Sequence, residues 1–113
     1  MIPPEMLVED LGEFQLIELL ADAAGAQGDA AARGRLLLSI GDDAAAWRGS
    51  KDATVLTTDT MVEGVHFSLD WTDWESLGWK AMATNQSDIA AMGCTTAYAV
   101  VSLGLRGDLP VEG

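Results

Sequence analysis

Apolar and polar positions alternate in blocks along the chain, and each block has a different period. Glu13 to Ala24 places Phe14, Ile17, Ala21 and Ala24 on one stripe at helical spacing, which predicts a helix. Glu13 suits the start of its dipole and Gly25 its end. Before it, Met1 to Leu11 reads as a loose lead-in, with Pro3 and Pro4 opposing helix. After it, Ala26 to Gly34 reads as a flexible loop. Leu36 to Ile40 is an apolar run that stops at Gly41-Asp42-Asp43. Ala44 to Trp47 predicts a short strand, and Gly49 to Asp52 a turn. Ala53 to Phe67 is rich in Thr and Val and predicts one bent strand or two, with Gly64 at the bend. Thr72-Asp73-Trp74-Glu75 has capping-box form with Thr72 as the N-cap. The helix it opens should run to about Met92 and end at Gly93. Thr96 to Leu105 predicts a buried strand, and Gly107 to Gly113 a loop. The order helix, strands, helix, strand predicts an α+β fold with helices on one face of a mixed sheet.

The length of 113 residues suits one domain, 1–113, and 49% hydrophobic residues exclude an acidic disordered tail. The formal charge is −12, from 6 basic and 18 acidic residues. Such a chain repels nucleic acid phosphates, so no nucleic acid partner is expected. The longest apolar stretch, Ala97 to Leu105, is too short for a bilayer span, so no membrane partner is expected either. Cys94 is the single cysteine. An internal disulfide is therefore excluded, and a cytoplasmic location is expected. A small buried hydrophobe is the better reading of that residue.

Most carboxylates here belong to a solvated surface. The informative ones lie in apolar or Gly-rich stretches, where a charge needs a partner and a divalent cation can supply it. Gly41-Asp42-Asp43-Ala44-Ala45 sets two acids among small residues, although alone it reads better as an Asp-rich turn. Thr57-Thr58-Asp59-Thr60 groups hard oxygen donors, although alone it reads better as an edge strand. Asp88 lies in mid-helix on the stripe of Leu77, Ala81 and Thr84, beside Ile89 to Met92. That position favours a functional role over a chance surface acid. His66 is the only histidine, and a lone His in an apolar strand is more often a core residue than a catalyst. No Gly-x-x-x-x-Gly-Lys loop is present.

Four motifs follow in order: Gly12 to Ile17, Gly41 to Ala45, Thr57 to Phe67 and Gly78 to Gly93. Asp59-Thr60-Met61-Val62-Glu63-Gly64-Val65-His66-Phe67 is the most specific stretch. From Gly12 to about Leu105 the series resembles the thiamine-monophosphate kinase family, of the aminoimidazole ribonucleotide synthetase-like superfamily.

The resemblance implies transfer of the γ-phosphoryl group of ATP to thiamine monophosphate, with ATP and Mg²⁺ held by acidic side chains. It implies Mg²⁺ binding by Asp43, Thr57, Thr58, Asp59 and Asp88, and a thiamine-monophosphate contact at His66. It sets Asp42 and Asn85 beside the nucleotide or around the metal ligands. It also implies an N-terminal ATP- and Mg²⁺-binding domain whose sheet pairs with a second copy into a barrel, hence a homodimer.

The sequence departs from the family pattern at Gln86 and at Cys94-Thr95-Thr96. It stops before the family's later Gly-Asp-Thr motif and C-terminal domain, so the isolated chain is expected not to turn over. Two alternatives remain at this point. One is a sister ATP-dependent enzyme of the selenophosphate synthetase or aminoimidazole ribonucleotide synthetase type. The other is a non-catalytic metal-binding or dimerisation module.

Overall fold

The computed structural model describes residues 2, 5–25, 30–41 and 43–112. Met1, Pro3, Pro4, Ala26 to Asp29, Asp42 and Gly113 lie outside the described residues. The chain forms two compact units. One comprises Met1–Gly49 with Tyr98–Gly113, and the other Ser50–Ala97.

In the first unit, a 3-10 turn at Val8–Asp10 precedes α1 (Glu13–Ala24). α1 keeps its expected bounds, but its covered side carries Leu16, Ile17, Leu19 and Ala21, and Phe14 is 84% exposed. α2 (Ala30–Arg35) stands where a loop to Gly34 was expected. Three successive alanines favour helix strongly enough to absorb Gly34 near its end. Tertiary contact then holds this short helix: Ala32 is buried, and its carbonyl accepts the Tyr98 hydroxyl.

β1 (Leu36–Leu38) and β2 (Ala46–Trp47) pair antiparallel, Leu36 opposite Trp47 and Leu38 opposite Ala46, with an irregularity between. The Arg48 N–H donates to the Arg35 carbonyl at 2.8 Å and extends the pairing by one bond. Trp47 and Tyr98 stack with ring centroids 5.0 Å apart, and the Arg35 guanidinium lies 5.8 Å from the Tyr98 centroid.

The N-terminal lead-in is not loose. Val8 and Glu9 N–H groups donate to the Leu109 and Gly107 carbonyls at 2.8 and 2.9 Å, and Val111 N–H donates to Met6 at 2.8 Å. Leu109 is buried beneath this seam.

The second unit is organised by α3 (Trp74–Ala91). The N-cap is Asp73, one residue beyond the expected Thr72. Its carboxylate accepts the Ser76 N–H at 2.6 Å. Hydrogen bonding to that backbone N–H holds the Asp73 carboxyl below its ordinary range, because the bond favours the charged form. At the other end Gly93 adopts φ +74°. Its N–H bonds the Ala90 carbonyl and the Cys94 N–H bonds that of Ile89, which together form a Schellman motif.

Two sequence expectations fail for one reason. Ala53 to Phe67 holds no strand, only an isolated bridge between Glu63 and Phe67. Thr96 to Leu105 is neither a strand nor buried: Val100 is 85% exposed, and Leu56 in the earlier segment 92%. β-branched residues become a strand only when a neighbouring edge partners their N–H and C=O groups. Among the described residues no such edge is present for either segment. The expected mixed sheet is accordingly a two-stranded antiparallel one, and the fold is α+β in that coarser sense. Among the described hydrophobic residues Ala32 and Leu109 are buried, little burial to set against the entropy of ordering the chain.

Candidate metal and substrate site

The first acidic motif leaves β1 through Gly41, whose φ of +111° lies where an L side chain is strained. Asp43 follows, exposed, in the first unit. Asp42 lies outside the described residues.

All other expected site residues belong to the second unit. Thr57 is half-buried, and Thr58 and Asp59 are exposed. Asn85 is half-buried on α3, where its Nδ2 donates to the Ala81 carbonyl at 2.8 Å. Thr84 returns its hydroxyl to the Lys80 carbonyl at 2.8 Å. Asp88 shares a helical stripe with half-buried Leu77 and Ala81, yet it is exposed. The apolar surroundings expected from Ile89 to Met92 do not enclose it: Ile89 is half-buried and Met92 is 68% exposed.

The donor set fits a hard divalent cation in kind. Carboxylate and hydroxyl oxygens are the ligands Mg²⁺ takes. The side chains of Thr57, Thr58, Asp59 and Asp88 have no hydrogen-bond or ion-pair partner among the described residues, so these oxygens are uncommitted. Among the described residues no three His, Cys, Asp or Glu side chains form a metal-holding group. A 240 Å³ depression lies elsewhere, lined by Glu75, Ser76 and Trp79 of α3.

His66 is not the satisfied core residue that a lone His usually is. It is exposed, at the end of a tight turn. The Val62 carbonyl accepts from the Val65 and His66 N–H groups at 3.1 and 2.8 Å, and the Gly64 N–H donates to Phe67 at 2.7 Å. The Val62 N–H donates to His66 Nδ1 at 2.9 Å. Sequence reasoning marked Gly64 as a bend but missed Val62. The spacing of four residues between Val62 and the sole histidine was the available signal.

Residues 41–112 match the family described as AIR synthase related protein, N-terminal domain, and the chain belongs to that family. Its relatives are more particular. It is 37% identical over 107 residues to the thiamine-monophosphate kinase of Corynebacterium glutamicum, covering 93% of this chain and 29% of that protein. It is 38% identical over 108 residues to the enzyme of that name from Mycobacterium tuberculosis, covering 91% and 29%. The Aquifex aeolicus enzyme of that name is 37% identical over 107 residues, covering 95% and 31%. The chain thus spans under a third of the length of these relatives. No solved structure matches it.

Proposed function

We propose that this chain is the N-terminal, metal- and nucleotide-binding part of an enzyme that phosphorylates thiamine monophosphate to thiamine diphosphate with ATP. The observation that carries the reading is collinear similarity, 37–38% identity across 91–95% of the chain, to three proteins named thiamine-monophosphate kinase. Phosphoryl transfer asks little covalent chemistry of a protein and much positioning and charge neutralisation. Uncommitted oxygen donors at Thr57, Thr58, Asp59 and Asp88 suit that task, with Asp43 as a further donor. Bound Mg²⁺ would neutralise charge on the phosphate chains. The protein's own contribution is to hold the cation through these residues and to present His66 to thiamine monophosphate. Asp42 and Asn85 would lie beside the nucleotide or around the metal ligands.

The same reading makes the protein cytoplasmic and homodimeric. No helix of the described residues is long and apolar enough to cross a membrane. The exposed apolar segment around Val100, Val101 and Leu103 is the surface a second copy would cover in a shared sheet. Sedimentation showing only monomer at high concentration would overturn the dimer.

The activity is tested by exchanging this chain for the matching segment of the C. glutamicum relative. The chimaera should convert thiamine monophosphate to thiamine diphosphate in a reaction requiring ATP and Mg²⁺. A folded chimaera that binds ATP but phosphorylates a different acceptor identifies a sister enzyme. One that binds neither ATP nor Mg²⁺ identifies a dimerisation module.

A further inference from the structure

Val62 and His66 are tied by two reciprocal hydrogen bonds. The His66 N–H donates to the Val62 carbonyl at 2.8 Å, and the Val62 N–H donates to His66 Nδ1 at 2.9 Å. A neutral imidazole has one acceptor nitrogen and one donor nitrogen. A backbone N–H can only donate, so Nδ1 must be the acceptor and Nε2 must carry the proton. The ring is exposed, so its Nε2–H is accessible to a ligand. The turn that aims the Val62 N–H at the ring has Gly64 at its third position, with φ +81°. A β-carbon there would meet nothing within 4 Å, so conformation and not space demands glycine.

We propose that the Val62–Phe67 turn is a tautomer lock. Gly64 and the Val62 amide are positioning residues that hold His66 as an Nε2–H donor, which recognises an acceptor atom such as a phosphoryl oxygen of the substrate. The locked ring offers no free lone pair to a cation. Its nitrogen lone pair is engaged by Val62, and its other nitrogen is protonated. The class of acceptor rests on the phosphotransferase reading above, but the lock itself does not.

The lock is read by nuclear magnetic resonance on the uniformly ¹⁵N-labelled 113-residue chain, with neither nucleotide nor substrate present. At a pH where the imidazole is neutral, the ring nitrogen shifts should show Nε2 protonated. A scalar coupling through the hydrogen bond should link the Val62 amide nitrogen to His66 Nδ1. Gly64→Ala should abolish that coupling and return the ring to the mixture of tautomers of an unconstrained histidine side chain. Gly64→Asn should restore part of it, because Asn tolerates positive φ better than other side chains.

An Nδ1–H ring, or a ring with no coupling to Val62, overturns the lock. So does a Gly64→Ala chain that keeps the coupling. Failure of the kinase reading looks different, since the coupling would persist while the chimaera formed no thiamine diphosphate. In an active chimaera, His66→Gln should keep more thiamine-monophosphate use than His66→Ala, because Gln retains a donor near Nε2. Equal loss in the two variants overturns the donor role.

Discussion

Asp88→Asn removes one negative charge at nearly constant shape, with a consequence for stability that follows from the structure and one for turnover that follows from the proposed function. Asp88 lies in the last turn of α3, which ends at Ala91 and contains no basic residue there. A carboxylate at that end opposes the negative pole of the helix dipole by about 0.3–1 kcal/mol. It is exposed and has no partner among the described residues, so Asn leaves nothing unsatisfied behind it. Without Mg²⁺, the variant should therefore melt at the parental temperature or higher. The gain should be at most about 1–8 °C, since 1 kcal/mol corresponds to about 4–8 °C in a domain of roughly this size. Added salt should shrink the difference, because the charge is exposed. In the chimaera, the same substitution should lower turnover about a hundredfold, the scale of deleting one charge-stabilising group from an active site. The assay is a paired one: melting in chelator, and thiamine diphosphate formation across a Mg²⁺ titration. A variant that melts well below the parent yet turns over normally would show that Asp88 is a structural acid, and would remove it from the metal set.

Asp73 provides a pH test. Its carboxyl is held low by the Ser76 N–H, so its contribution to folding is complete above the ordinary carboxylate pKa. That contribution fades as pH falls through the folded-state value. Asp73→Asn should lose this acid dependence in α3 helicity by circular dichroism, and parallel acid titrations of the two proteins would refute the cap. Gly107→Ala would place a β-carbon 2.9 Å from both Cβ and Oε2 of Glu9, closer than real contacts allow. Overpacking of that kind costs about 1–3 kcal/mol. Amide exchange at Val8, Glu9 and Val111 should accelerate, with partial rescue by Glu9→Gly; unchanged protection would mean that the seam tolerates a side chain.

Local signals were read correctly where the cause is local. α1 and α3 form because helical periodicity, an acid at or next to the N-terminus and a glycine at the C-terminal end act within a few residues. The Schellman end at Gly93 depends only on Ile89 to Cys94. The N-cap shifted from Thr72 to Asp73 because two adjacent residues could each reach a free N–H, and composition does not choose between them. At the site only residue types were legible: the side chains of Thr57, Thr58, Asp59 and Asp88 have no partner among the described residues, and Asp88 is exposed where its motif suggested apolar surroundings.

Tertiary structure decided what depends on distant partners. Tyr98 reaches back to the Ala32 carbonyl and anchors a helix where the local sequence suggested a loop. Gly107 and Leu109 recruit the N-terminal lead-in, although its prolines and acids predict nothing of the kind. The Thr- and Val-rich segments make the converse case. Leu56 and Val100 have strand-forming neighbours, but propensity supplies no hydrogen-bond partner, and both side chains stay in water. A helix closes its hydrogen bonds within its own sequence, whereas a strand takes them from another segment. The helices were therefore readable from the sequence alone, and the strands depended on which edges the folded chain presents.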